Sequence, residues 1–436
     1  EAMSGLVASG GEAEASEAAE GVVLNAVLGP ASGAVSTAET MRGILEATGA
    51  AGNASLMRTL EMIDFQTQSM PAWVVVLSGP RATSRMFACG VECCAVSESA
   101  IPMSDQSSSL VVWLNPSAAD PAEHRAVMEE SHRILAEDGI FLVADLFKPL
   151  WGKSLPGDTP PESSIYRMLT WCDKLSEGRF HVARRFHGEE FDSDWCLVAS
   201  CGPEPPSAPQ SETSPWYRAL HGVIEGQEGE LEPLQSFHSW RAVYPELQLL
   251  VDHLDVILAD ARRIQGSSWK PWPEMHYSDG GSEDWKIFPF CHTFPAHDIT
   301  RRCFIEGTCE FCPGTASLLK QLPSVRTALF SRLGGKGRIS AHRGWADLAN
   351  HVLRCHLSLV VPEKRGCAVW VRGEVQSHEE GGVIVFDDSK LHKACNETVD
   401  DRIVLIVDLA RPAHLPLGRA VGDRTPELNN LIEYFS

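Results

Sequence analysis

The alternation of apolar and polar positions divides the chain into two unlike halves. Before about residue 202, short apolar runs read as strands: "AWVVVLSG" (72–79), "VECCAV" (91–96), "SLVVWLN" (109–115), "IFLVADLF" (140–147) and "SDWCLVASCGP" (193–203). Between them, "DPAEHRAVMEESHRILAEDG" (120–139) predicts a helix closed by Gly139. Strands alternating with helices predict a parallel α/β sheet. After about residue 234 the pattern changes. A helix is predicted over 244–264, where Leu247, Leu250, Val251, Leu254 and Leu258 recur at helical spacing. Then come mainly strands: "WKIFPF", "LFSRL", "HVLRCHLSLVV", "CAVWV", "GGVIVFDD" and "RIVLIVDL", separated by Gly, Pro and Asp turns. That succession predicts a jelly-roll or barrel.

The break between the halves is compositional. "CGPEPPSAPQSETSPW" (201–216) is too rich in Pro and Ser for regular structure, and "GQEGELEP" (226–233) extends it. The expected organisation is a loose Ala/Gly/Ser/Glu-rich start (1–20), an α/β domain (21–202), a linker (203–233), a β domain (234–420) and a tail (421–436).

Face alternation within the second half picks out chemistry. In "HVLRCHLSLVV" side chains switch faces at each step, so Val352, Arg354, His356 and Ser358 share one face and Leu353, Cys355, Leu357 and Leu359 the other. The leucine face suits packing against outer helices, which leaves Arg354 and His356 to look into a polar interior. In "RIVLIVDL", Arg402 is in phase with Val404 and Ile406. An arginine there is expensive to bury unless an anion meets it, and a guanidinium fork fits a carboxylate. His342 and His392 stand at the rims of different strands and can meet only through the fold. Neutral imidazoles ligate iron, zinc and related metals.

Bulk composition narrows the classes. The 436 residues carry a formal charge of −21, which disfavours nucleic acid and anionic membranes as bulk partners. No apolar run approaches the roughly 20 residues of a membrane span. Thirteen scattered cysteines without a framework point to free thiols in a reducing, cytoplasmic setting. The first residues show neither basic region nor apolar core of a secretory signal.

Residues 269–412 resemble the aspartyl/asparaginyl β-hydroxylase family of Fe(II)- and 2-oxoglutarate-dependent oxygenases. The matching pieces, in order, are "WKPWPEMHYSDGG", "WKIFPF", "CEFCPGTASLLKQLPSVRTALFSRL", "HRGW", "NHVLRCHLSLVVP", "EEGGVIVFDDSKLHKACNET" and "DDRIVLIVDLARP". The resemblance implies a double-stranded β-helix (jelly-roll, cupin-like) with flanking helices. It implies His342 and His392 as iron ligands and Arg402 as the partner of the far carboxylate of 2-oxoglutarate. Arg354, His356, Ser331 and Trp285 would line the cosubstrate pocket. It also implies O2-dependent hydroxylation of a C–H bond in an amino acid, a peptidyl Asp/Asn or a related small substrate, with release of succinate and CO2. Gly344 stands where most such oxygenases place a carboxylate ligand, a glycine that the family shares. Asp347 falls in a short insertion between Gly344 and Arg354 and is carried as a candidate extra ligand.

The first half resembles the middle of a class I S-adenosylmethionine methyltransferase, from "SESAIPMSDQSSSLVVWLN" through "IFLVADLF". Its Gly-rich turn is replaced by "VVVLSGPRATS", and the acid that ends the second strand would be Glu98. The expectation is a degenerate Rossmann-like domain without bound S-adenosylmethionine. Two other functional classes stay open: a methyltransferase with a ligand-binding barrel, and a non-catalytic scaffold. Cys309 and Cys312 read as packing, "LGGKG" (333–337) as a turn, and "SHEEGG" (377–382) as a strand-to-strand turn.

Overall fold

The computed structural model describes residues 104–106, 108–114, 121–145, 164–187, 195–201, 236–264, 266–278 and 284–434, with short strands at 24–28, 73–77, 94–96, 223–225 and 231–233. The loose start, most of the linker, the turn after Leu77 and Glu98 lie outside the described residues. Among the described residues, no helix is long and apolar enough to cross a membrane.

The N-terminal strands are β1 (Leu24–Leu28), β2 (Trp73–Leu77), β3 (Cys94–Val96), β4 (Ser108–Leu114), β5 (Leu135–Asp145), β6 (His181–His187) and β7 (Trp195–Ser200). They lie in the order β3-β1-β2-β4-β5-β7-β6. Strands β2, β4 and β5 are parallel, as the strand–helix alternation predicts. The sheet as a whole is mixed: β1 is antiparallel to β2 and β3, and β7 to β5 and β6. The short connection between β6 and β7 permits a hairpin and leaves no room for a crossover. Helices α1 (Pro121–Ile134) and α2 (Ser164–Glu177) cover a core that contains Trp113, Phe141, Met168, Trp171 and Leu175. Helix α1 stops short of Gly139 because Leu135 already pairs with Ser108 in the sheet.

The C-terminal strands are β8 (Trp285–His292), β9 (Val325–Leu333), β10 (Arg338–His342), β11 (Val352–Val360), β12 (Cys367–Val371), β13 (Glu374–Ser377), β14 (Val383–Phe386), β15 (His392–Asn396) and β16 (Arg402–Ala410). They form two antiparallel layers, β14-β11-β16-β9-β8 and β10-β15-β12-β13. Val369 and Val371 of the smaller layer pack on Ile384 and Phe386 of the larger, which closes the sandwich.

Each layer buries its other face. Leu353, Cys355, Leu357 and Leu359 of β11 and Leu405, Val407 and Leu409 of β16 pack outward on α3 (Leu254–Arg263) and α4 (Pro313–Lys320). The helix predicted over 244–264 is broken: His253 leaves helical dihedrals, and its ring bonds the Leu249 carbonyl instead. The smaller layer turns its back on the N-terminal core, where Ala368, Trp370, Val375 and Cys395 pack with Trp171 and Trp195. The sheet is continuous there, because Glu374 of β13 pairs with Phe186 of β6. A buried Arg184–Glu374 ion pair of 2.8 Å and a Trp370 Nε1 bond to the His187 carbonyl fasten the seam.

Candidate metal and cosubstrate site

Strands β10 and β15 pair so that His342 stands opposite His392 at the open end of the sandwich. Their ring centroids are 4.3 Å apart. His342 Nδ1 lies 2.8 Å from the Ser340 carbonyl, and His392 Nδ1 lies 2.8 Å from the Lys390 carbonyl. A carbonyl only accepts, so each Nδ1 carries the ring proton and each Nε2 presents a lone pair. Burial pushes the pKa of His342 down to about 3 and that of His392 down to about 4, so both rings stay neutral.

Asp388 stands beside the histidine pair, with Arg354 as its counterion. It is wholly buried, and its Oδ1 lies 3.3 Å from His392 Nε2. A lone pair facing a carboxylate at that distance is stable only with a positive charge or a proton nearby. Burial raises Asp388 to about 6, against the pull of Arg354 2.5 Å away. The carboxylate occupies the space beside Gly344: a Cβ there would lie 2.0 Å from Asp388 Oδ2. Gly344 is therefore required by close approach. No group of three or more His, Cys, Asp or Glu side chains arranged to hold a metal occurs among the described residues. The two imidazoles are the donors that fit a metal. Asp347 does not join them; it pairs with Arg424 at 3.1 Å.

Deeper between the layers lies a second set. Ser331 on β9 and Ser358 on β11 both stand opposite Val404 of β16, so all three share the inner face with Arg402, His356 and Arg354. Arg402 is 1% exposed. Its Nη1 lies 3.3 Å from His378 Nε2, its Nε has no partner, and no acid pairs with it among the described residues. Since arginine only donates, His378 Nε2 accepts and its Nδ1 donates to Ser358 Oγ at 3.0 Å. Both ring nitrogens of His356 are buried without partners. Trp285 donates through Nε1 to Ser331 Oγ at 3.1 Å. Burial, then the neighbouring cations, holds His356 and His378 well below the usual imidazole value. These are orphaned donors and neutral rings around an unpaired guanidinium, the chemistry of an anion site.

Arg354 borders the cavity, but its donors are already engaged. Its Nε and Nη2 donate to Asp408 at 2.9 and 3.0 Å, while Nη1 meets Asp388. Its donors are committed to two buried carboxylates, so it anchors Asp388 beside the histidines.

The histidine end opens into a cavity of about 440 Å³ walled by Trp272, Trp285, Trp345 and Tyr277. A mostly apolar cleft of about 550 Å³ adjoins it, lined by Ile287, Phe294, Leu348 and the Leu428–Leu431 face of α5 (Pro426–Tyr434). Leu329, Trp345 and Arg354 border both.

Residues 251–412 match the model of a family described as aspartyl/asparaginyl beta-hydroxylase. The match lies in the C-terminal region. That region is 38% identical over 112 residues to an ornithine lipid ester-linked acyl 2-hydroxylase of Rhizobium tropici, covering 26% of this chain and 39% of that protein. It is 29% identical over 191 residues to aspartate beta-hydroxylase domain-containing protein 2 of Mus musculus, covering 41% and 52%. An aspartyl/asparaginyl beta-hydroxylase of Homo sapiens is 34% identical over 119 residues, covering 26% and 15%. The chain spans about half or less of the length of these curated relatives.

Three side chains of this candidate site escape sequence reasoning. Asp388 hides in "VFDDSKLH", where two consecutive acids read as a solvated turn. His378 lies in "SHEEGG", which does connect β13 to β14, yet its ring turns inward to Arg402. Glu274, within "WKPWPEMHY", is 2% exposed and faces the cavity. The available signal was the pairing rule: an inward arginine needs partners, and His378 and Asp388 both sit at strand ends that could supply them.

Proposed function

We propose that the C-terminal region hydroxylates a substrate C–H bond in an Fe(II)- and 2-oxoglutarate-dependent reaction. The substrate, O2 and 2-oxoglutarate give the hydroxylated product, succinate and CO2. The carrying observation is Arg402, a fully buried guanidinium without a carboxylate among the described residues, on the inner sheet face it shares with His356. A dicarboxylic cosubstrate supplies the missing anion.

The chain's own groups then have distinct tasks. His342 and His392 would hold Fe(II) through Nε2, fixed in tautomer and orientation by their Nδ1 bonds to Ser340 and Lys390. When bound, the metal supplies O2 activation and an attachment point for the keto acid. Arg402 grips the far carboxylate, and Ser331 and His356 offer further polar contacts. His378 keeps the guanidinium in place by accepting from Nη1. Trp285, Trp272 and Trp345 wall the cavity and exclude water.

The test is succinate formation by the full chain with Fe(II), 2-oxoglutarate and ascorbate. Wild type forms succinate, and His392→Ala lowers the rate at least about a hundredfold with unchanged thermal unfolding. Succinate formation unaltered in His392→Ala would overturn the reading.

A further inference from the structure

The wall of the cavity that His342 borders carries the reverse problem of Arg402. Glu274 is 2% exposed, and only one of its carboxylate oxygens is used: Oε1 accepts from Trp345 Nε1 at 3.2 Å. Its Oε2 is buried without a partner, and no cation pairs with it among the described residues. Arg343, the rim guanidinium of the same cavity, is exposed and donates to the Ser389 carbonyl at 3.0 Å. A buried carboxylate without a counterion is as costly as a buried guanidinium without one.

Around Glu274 the walls are aromatic. Trp272 stacks on Trp285 with centroids 4.4 Å apart, and Trp345 lies nearly parallel to it at 5.8 Å. Tyr277 lies against His342 at 4.6 Å. Faces of electron-rich rings beside a buried carboxylate are what an organic cation seeks, through cation–π attraction and an ion pair. A neutral donor could bond Oε2 but would leave its charge uncompensated.

We propose that Glu274, with Trp272, Trp345 and Tyr277, forms a subsite for an alkylammonium group of the substrate. The subsite deepens the hydroxylase reading, since it shares the cavity with His342. It gives the substrate group a partner of its own, apart from Arg402, where the anionic cosubstrate is held. Tyr277 both borders the subsite and touches a proposed metal ligand, so a bound ammonium group sits close to the reacting centre.

The test is binding of n-butylammonium and its neutral counterpart n-butanol to the full chain, without iron or 2-oxoglutarate, read by saturation-transfer NMR. The expected result is at least about tenfold preference for the ammonium, abolished in Glu274→Gln, which keeps the acceptor for Trp345. Trp272→Leu weakens the ammonium about threefold or more and leaves the alcohol unchanged. That second variant decides the matter if Glu274→Gln does not fold. Equal binding of the two probes, or undiminished ammonium preference in both variants, overturns the subsite. Because no turnover is involved, selective binding without succinate formation would sink the hydroxylase reading alone. Succinate formation without selective binding would sink the subsite alone.

Discussion

Two arginines on neighbouring strands of one inner sheet face meet opposite conditions. Arg354 on β11 is saturated by Asp408 and Asp388. Arg402 on β16 has only the lone pair of a neutral histidine. Both are inward and both look alike in sequence, but one is architecture and the other is an unfinished contact. Replacing the saturated one strands two buried carboxylates. Replacing the unfinished one removes a desolvation penalty and a binding group together.

The contrast breaks most readily at Arg402. Arg402→Met is expected to raise the KM for 2-oxoglutarate about a hundredfold or more, with a melting temperature equal to or above wild type. Kinetics and calorimetry on one preparation check both halves. A large drop in melting temperature would make Arg402 structural. Arg354→Met should do the reverse to stability, costing about 3–5 kcal/mol in urea unfolding, because Asp388 and Asp408 lose their counterion.

A smaller effect sharpens the Arg354 side. Gly344→Ala drives a Cβ into Asp388 and is expected to cost about 1–3 kcal/mol. Part of that loss should vanish in the Gly344→Ala/Asp388→Ala double variant, measured against Asp388→Ala alone, the remainder coming from Ala349 Cβ, 2.7 Å from the new Cβ. Additive losses would show that Asp388 is not what crowds Gly344.

The last effect is in pH. His342, His392, His356 and His378 all have folded pKa values below the ordinary imidazole value. The unfolded chain therefore binds more protons below about pH 6.5, and stability falls as pH drops from there toward 4. Thermal unfolding of metal-free protein should be level near pH 7 and decline below 6.5. His378→Gln should make that decline shallower.

Much of this was legible because β strands enforce period two. The phase of Arg354, His356 and Ser358 against four packing positions fixed their inward face, and the same rule placed Arg402. Which inward arginine is free was not legible, since that depends on acids whose positions only the fold reveals. Asp408 lies in phase with Arg402 on β16, but its pairing with Arg354 rests on the β11–β16 register. Asp388 and His378 reach the site from turns, where side-chain direction has no period. The break at His253 was hidden for a similar reason: Leu247, Leu250 and Ile257 still face the core across the interruption. In the first half, apolar runs revealed β2, β3, β4, β5 and β7 but not β1 or the polar β6, and direction was not readable, because β7 is as apolar as its parallel-sheet neighbours.

The splice at Glu374 and Phe186 has a practical consequence for anyone dissecting this chain. The back of the β10-β15-β12-β13 layer offers Trp370 and Val375 where a free-standing barrel would offer charge, and its β13 edge has unspent amides. Expressed from residue 234 onward, the barrel would carry an adhesive flank and self-associate unless that flank were recoated with lysine or glutamate.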